Sequence, residues 1–133
     1  MPGLLADTHA VVWYLLGDAR LSARAEATLE AAAAAGEPLQ VASISVVEIV
    51  YLVEKGKLPA QALVRLAEAA SGPVSALVVV PLDLAVAQSI ARIPRGIVSD
   101  PADRIIAATA LHLGTPLITR DQRIHRAGVP TVW

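Results

Sequence analysis

Five acidic residues stand where a chain can build a cation site: Asp7, Glu48, Asp100, Asp103 and Asp121. Asp7 closes the short aliphatic run Gly3–Ala6, and Glu48 falls in the first turn of a helical pattern behind Ser45. Asp100 and Asp103 bracket a helix start at Pro101, and Asp121 follows the run Pro116–Thr119. Each also has an ordinary structural use. Ser45-x-x-Glu48 fits a capping box, Asp100-Pro101 fits an N-cap followed by proline at the first helical position, and Asp7 and Asp121 can cap as well. A cap contributes about 1 kcal/mol. Two carboxylates ~4 Å apart, however, repel by about 4 kcal/mol at an effective dielectric of 20. Helix dipoles, at roughly 0.3–1 kcal/mol each, do not offset several such pairs. If the five converge, they need protons or a divalent cation between them. Oxygen-only ligands suit Mg²⁺ or Mn²⁺, ions that keep several waters and favour phosphate substrates.

Convergence depends on the elements that carry these residues. Aliphatic runs at Gly3–Ala6, Leu39–Ala42, Leu77–Val80, Pro116–Thr119 and Thr131–Trp133 predict strands. Helical patterns cover His9–Leu16, Leu21–Ala35 with Ser22 as cap, Val46–Lys55, Pro59 to about Ala70, Leu84–Ala91 and Pro101–Leu113. Leu77–Val80 is continuously aliphatic, as expected of a strand covered on both faces. Strands alternating with helices predict an α/β fold of three layers, with a short parallel sheet of about four or five strands flanked by helices. In such sheets ligands bind beyond the carboxyl ends of the strands, where the helix N-termini gather. Acids distant in sequence then share one sheet edge. No repeat, linker or low-complexity segment interrupts the 133 residues, so residues 1–133 read as one domain.

Composition narrows the chemistry. The chain has no cysteine, which excludes disulfides, thiolate zinc sites and a cysteine nucleophile. It lacks G-x-x-x-x-G-K, G-x-S-x-G and H-E-x-x-H, so triphosphatase, serine hydrolase and zinc protease readings have no support. An aspartyl-nucleophile phosphohydrolase would need a lysine near the phosphate, but the only lysines, Lys55 and Lys57, form one mid-chain cluster. The start carries no basic n-region, and no apolar stretch approaches the ~20 residues that span a bilayer. The expectation is a soluble cytoplasmic protein. A net charge of −1 gives no global basic footprint, although six of the eleven basic residues (Arg92, Arg95, Arg104, Arg120, Arg123 and Arg126) fall in one C-terminal stretch.

At its acidic motifs the chain resembles the PIN-domain ribonucleases, particularly the VapC-type toxins of VapBC toxin–antitoxin pairs. LLADTHAVVWYL is similar to the opening strand and first acid of that family, and SISVVEIVYLVEKGKL to its second motif. SDPADRIIAATALHLGTPLITRDQRI is the most specific portion. The resemblance implies a Mg²⁺- or Mn²⁺-dependent endoribonuclease with Asp7, Glu48, Asp103 and Asp121 as catalytic metal ligands and Asp100 as an additional candidate. It places Thr119 to hold a metal-bound water. It also implies a homodimer and a cognate antitoxin whose segment covers the site. Transfer or ribosomal RNA is the expected substrate. Arg104, Arg95 and Arg120 are candidates for RNA phosphate, with a salt bridge as the alternative for Arg104. The rival readings are an acid-pocket phosphohydrolase and a catalytically silent PIN-fold binding module.

The remaining candidates carry weaker expectations. His9 follows Asp7 by two but is expected to orient the helix start or pack inside rather than act as a base. His112 is expected in the core or at a helix end, and His125 in solvent. Trp13, Tyr14 and Tyr51 can stack bases but are expected to be packing residues. A mean hydropathy of +0.57 predicts apolar surface left over for a dimer contact or a partner groove.

Overall fold

The computed structural model describes residues 3–73 and 75–133. Five short parallel strands form one sheet: β1 (Leu4–Ala6), β2 (Leu39–Ala42), β3 (Leu77–Val80), β4 (Leu117–Ile118) and β5 (Thr131–Val132). Their order is β3-β2-β1-β4-β5. From β1 the chain winds outward through β2 to β3, then crosses back to β4 on the other side of β1. The reversal leaves a crevice between β1 and β4 at their carboxyl ends, where open α/β sheets place ligands.

The described residues form seven α-helices: α1 (Thr8–Leu16), α2 (Ala23–Ala34), α3 (Ser43–Glu54), α4 (Gln61–Ala69), α5 (Leu84–Ser89), α6 (Pro101–Leu113) and α7 (Gln122–Arg126). A 3-10 turn at Ile90–Arg92 extends α5. Successive strand residues point to opposite faces, and the core divides accordingly. Ala6, Val41 and Ile118 pack with Val11, Leu29, Ile49 and Leu66 of α1–α4. Leu5 and Leu117 pack on the other face with Ile106 and Ala110 of α6 and Ile124 of α7. This is the expected three-layer arrangement.

Three local expectations need correction. Helix α3 begins at Ser43 after Ala42, with no side-chain cap, so Ser45 lies inside the helix and makes no capping box. Strand β3 is an edge strand rather than a covered one, and Val78 and Val79 are both exposed. Helix α7 was not expected: its five residues are too few for a periodicity to show.

Candidate active site

Asp7 leaves the central strand and caps α1. Its Oδ1 accepts from the Ala10 amide at 2.9 Å, and its own amide donates to the Ile118 carbonyl of β4 at 3.1 Å. Its Oδ2 accepts from the buried Thr119 hydroxyl, which in turn accepts from the Asp121 amide at 3.0 Å. Thr119 therefore ties the end of β1 to the end of β4. Both of these contacts involve its hydroxyl, so Thr119 positions Asp7. Burial pushes the Asp7 carboxyl above its ordinary range, against the pull of the Thr119 and Ala10 hydrogen bonds and the His9 charge.

Glu48 is anchored in the same way by a residue the sequence reading passed over. Thr8, 4% exposed, lies 2.5 Å from Glu48 Oε1 and 3.0 Å from the Ser45 hydroxyl. An ionised carboxylate only accepts. The single Thr8 proton therefore goes to Glu48, and Ser45 donates to Thr8. Ser45 sits one helical turn before Glu48, on the same face of α3. That i, i+3 spacing is the signal in the sequence, and it fits a capping box equally well.

Asp100 and Asp121 do cap their helices. Asp100 Oδ2 accepts from the Asp103 amide at 3.0 Å, with Pro101 in the first helical turn. Asp121 Oδ1 accepts from the amides of Arg123 at 2.8 Å and Ile124 at 3.3 Å. Asp103, in the first turn of α6, has no side-chain hydrogen bond or ion pair among the described residues. Its carboxyl is pushed up to about 6, first by desolvation and then by the charges of Asp100, Asp121, Glu48 and Asp7. The acids thus share one electrostatic field. Among the described residues, though, no three acidic or histidine side chains form a ready-made metal cage.

A cleft of about 390 Å³ opens at this edge, walled by Asp7, Asp103, Asp121, His9 and Arg120, with Trp13 and Trp133 completing it. Glu48 and Asp100 are not in its wall. His9 is exposed rather than packed inside, with its ring 5.6 Å from that of Trp13. Of the three candidate arginines only Arg120 reaches the cleft. Arg95 is exposed in the loop before α6. The Arg104 guanidinium donates to the carbonyls of Ile90 and Ile93 at 3.2 and 2.9 Å, closing the 3-10 turn. It contacts neither an acid nor the cleft. His112 is exposed in the last turn of α6 rather than in the core, and His125 is exposed as expected. Trp13 is buried, Tyr14 half-buried and Tyr51 exposed. Trp133, whose sequence context implies only the end of a strand, stands in the cleft wall.

Comparison with known proteins agrees with this topology. The chain is 33% identical over 137 residues to ribonuclease VapC22 of Mycobacterium tuberculosis, covering the whole of both chains. Its fold matches a chain of the DNA-bound VapBC complex of Salmonella typhimurium with a TM-score of 0.71 at 20% identity, covering 98% of this chain and 97% of that one. VapBC2 of Rickettsia felis bound to a promoter DNA fragment matches equally well, with a TM-score of 0.71 at 17% identity and 96% of each chain covered. The PIN domain family model matches residues 4–130, nearly the entire chain, and the protein belongs to the PIN-domain family.

Proposed function

We propose that this protein is a divalent-metal-dependent endoribonuclease and the toxin partner of a toxin–antitoxin pair. The observation that carries the reading is the acid-lined cleft at the β1/β4 switch point, in a chain alignable end to end with a ribonuclease. The donor set is oxygen only, and the shared negative field that raises Asp103 is one a hard cation relieves. Asp7, Asp103 and Asp121 would hold the ion, with Glu48 reaching it through water and waters filling the remaining positions. When bound, Mg²⁺ or Mn²⁺ lowers the pKa of the attacking water and offsets charge on the leaving oxygen.

The chain's own contribution is preorganisation. Thr119 and Ala10 fix both oxygens of Asp7, and Thr8 fixes one oxygen of Glu48. These carboxylates stay oriented without a ligand, so little reorganisation is needed when the phosphodiester arrives. Exposed apolar side chains support the partner reading. Tyr51, Val64 and Leu84 are 57%, 54% and 73% exposed, apolar surface suited to a second copy or to an antitoxin. The relatives of like fold were solved as VapBC complexes. No helix among the described residues is long and apolar enough to cross a membrane.

The test is metal removal. Purified protein should cut transfer or ribosomal RNA with Mg²⁺ or Mn²⁺, lose the activity in chelator and regain it on readdition. Cleavage that persists unchanged in chelator would overturn the metal assignment.

A further inference from the structure

Both tryptophans of the chain stand in the wall of the acid-lined cleft. Trp13 is the buried member, 2% exposed, and it meets Trp133 edge to face with ring centroids 5.9 Å apart. Guanidinium carbons lie near it at 5.1 Å for Arg20 and 4.8 Å for Arg120. The two arginines differ in one respect. Arg20 is tied to Asp18 at 2.8 Å, whereas Arg120 has no carboxylate partner among the described residues, although Asp121 follows it in the chain. Trp13 therefore acts as a base plate for two groups that remain accessible, the half-buried Trp133 and the exposed Arg120. The Trp13 Nε1–H is itself buried without an acceptor.

A flat half-buried indole beside an unpaired guanidinium is the chemistry of single-stranded nucleic-acid binding, in which a base stacks on the ring and a phosphate meets the arginine fork. A phosphate alone would need only the arginine. A duplex would present no free base face to the indole. Resting on the ribonuclease reading of the acids, we propose that Trp133 and Arg120, set in place by Trp13, form a nucleotide subsite that takes an unpaired base next to the scissile phosphate. Stacking tolerates any base, so the subsite selects for an unpaired strand and fixes its register against Asp7 and Asp103, without selecting sequence.

The experiment deletes the contact from both sides. An abasic nucleotide is scanned through a short single-stranded RNA, and KM and kcat are measured for wild type, Trp133→Leu, Trp133→Phe and Arg120→Gln. At one position flanking the cut, the abasic RNA should raise the wild-type KM about tenfold, in line with the worth of a single base stack. Trp133→Leu should raise KM for the intact RNA similarly and show no further penalty with the abasic RNA, while Trp133→Phe keeps most of the affinity. Arg120→Gln should also act on KM. Intrinsic emission gives a second readout, because the only two tryptophans line this cleft. RNA added to an Asp103→Asn background should quench it. An abasic penalty of equal size in wild type and Trp133→Leu, with RNA still cut, overturns the subsite and leaves the ribonuclease reading standing. A wild type that neither cuts RNA nor is quenched by it overturns both.

Discussion

The two sides of the acid cluster are built differently. On the β1/α3 side each carboxylate is held by a threonine: Thr119 donates to Asp7, and Thr8 donates to Glu48 while accepting from Ser45. On the α6 side Asp103 has no such partner, and it faces Asp100 one turn back and three more carboxylates through space. The first side is satisfied within the protein, and the second is not. A folded chain tolerates unrelieved repulsion where a ligand relieves it, so the contrast assigns positioning to the threonine side and cation demand to α6.

The largest effect should come from the unsatisfied side. Asp103→Asn removes a charge at the centre of the field and keeps the shape. We expect metal-dependent cleavage to fall by at least ~10²-fold in kcat/KM. The thermal midpoint of the chelated protein should rise, because the substitution removes repulsion along with function. A variant that loses activity and stability together would mean that Asp103 is structural, and the contrast would collapse.

Thr8→Val tests the satisfied side. It leaves Glu48 without its donor and the buried Ser45 hydroxyl without its acceptor, a loss of about 1–3 kcal/mol of stability. Cleavage should fall ~10-fold or more, the usual scale for groups that orient ligands, and Thr8→Ser should restore most of both. Activity measured at a temperature where both variants are folded checks it. Wild-type activity in Thr8→Val would show that Glu48 needs no positioning.

How much of this was legible in the sequence depends on whether a residue's role is local. The caps at Asp7, Asp100 and Asp121 could be read because each lies at a strand end or helix start, and their gathering at one edge follows from parallel βα order. The Thr8–Glu48 link was not legible, since it depends on how α1 and α3 pack across 40 residues of chain. The role of Arg104 is hidden for the same reason: its adjacency to Asp103 says nothing of the carbonyls of Ile90 and Ile93. Four aliphatic residues at Leu77–Val80 specify a strand but not its place at the sheet's edge. Trp133 carried no motif at all, and only the pairing of β5 with β4 brings it to the cleft.

The contrast also has a pH signature. Asp103 titrates near 3.8 in the unfolded chain and is pushed up to about 6 in the fold. Below both values it is protonated in either state and contributes nothing. As pH rises from about 4 to 6 the unfolded chain releases this proton first, so folding becomes progressively less favourable, and above 6 the full penalty remains. Asp7, also raised, has the same sign. Asp18, held down at about 2 by Arg20, has the opposite sign, but its stabilisation is lost only below 3.8 and leaves the window clear. The thermal midpoint of the chelated protein should therefore fall between pH 4 and 6, and the fall should shrink in Asp103→Asn. Divalent metal should oppose it. A midpoint that rises through that window in chelator would remove the electrostatic basis of the comparison.

The smallest effect belongs to Asp100, where cap and ligand are both on offer. Its Oδ2 already accepts from the Asp103 amide, and its charge raises Asp103. Asn caps as well as Asp does, while Ala does not, at a loss of about 1 kcal/mol. Asp100→Asn thus removes only the charge, and Asp100→Ala removes charge and cap together. If Asp100 is a cap that happens to stand beside the site, Asp100→Asn should leave cleavage within a few-fold of wild type and raise the chelated midpoint slightly. Asp100→Ala should then lose most of that gain or fall below wild type. If Asp100 is a ligand, Asp100→Asn should lose activity on the scale of Asp103→Asn, and the unsatisfied side of the acid cluster would comprise two residues rather than one. The pair of variants separates these outcomes because the cap and the charge act on different readouts, one on the stability of α6 and the other on the demand for metal.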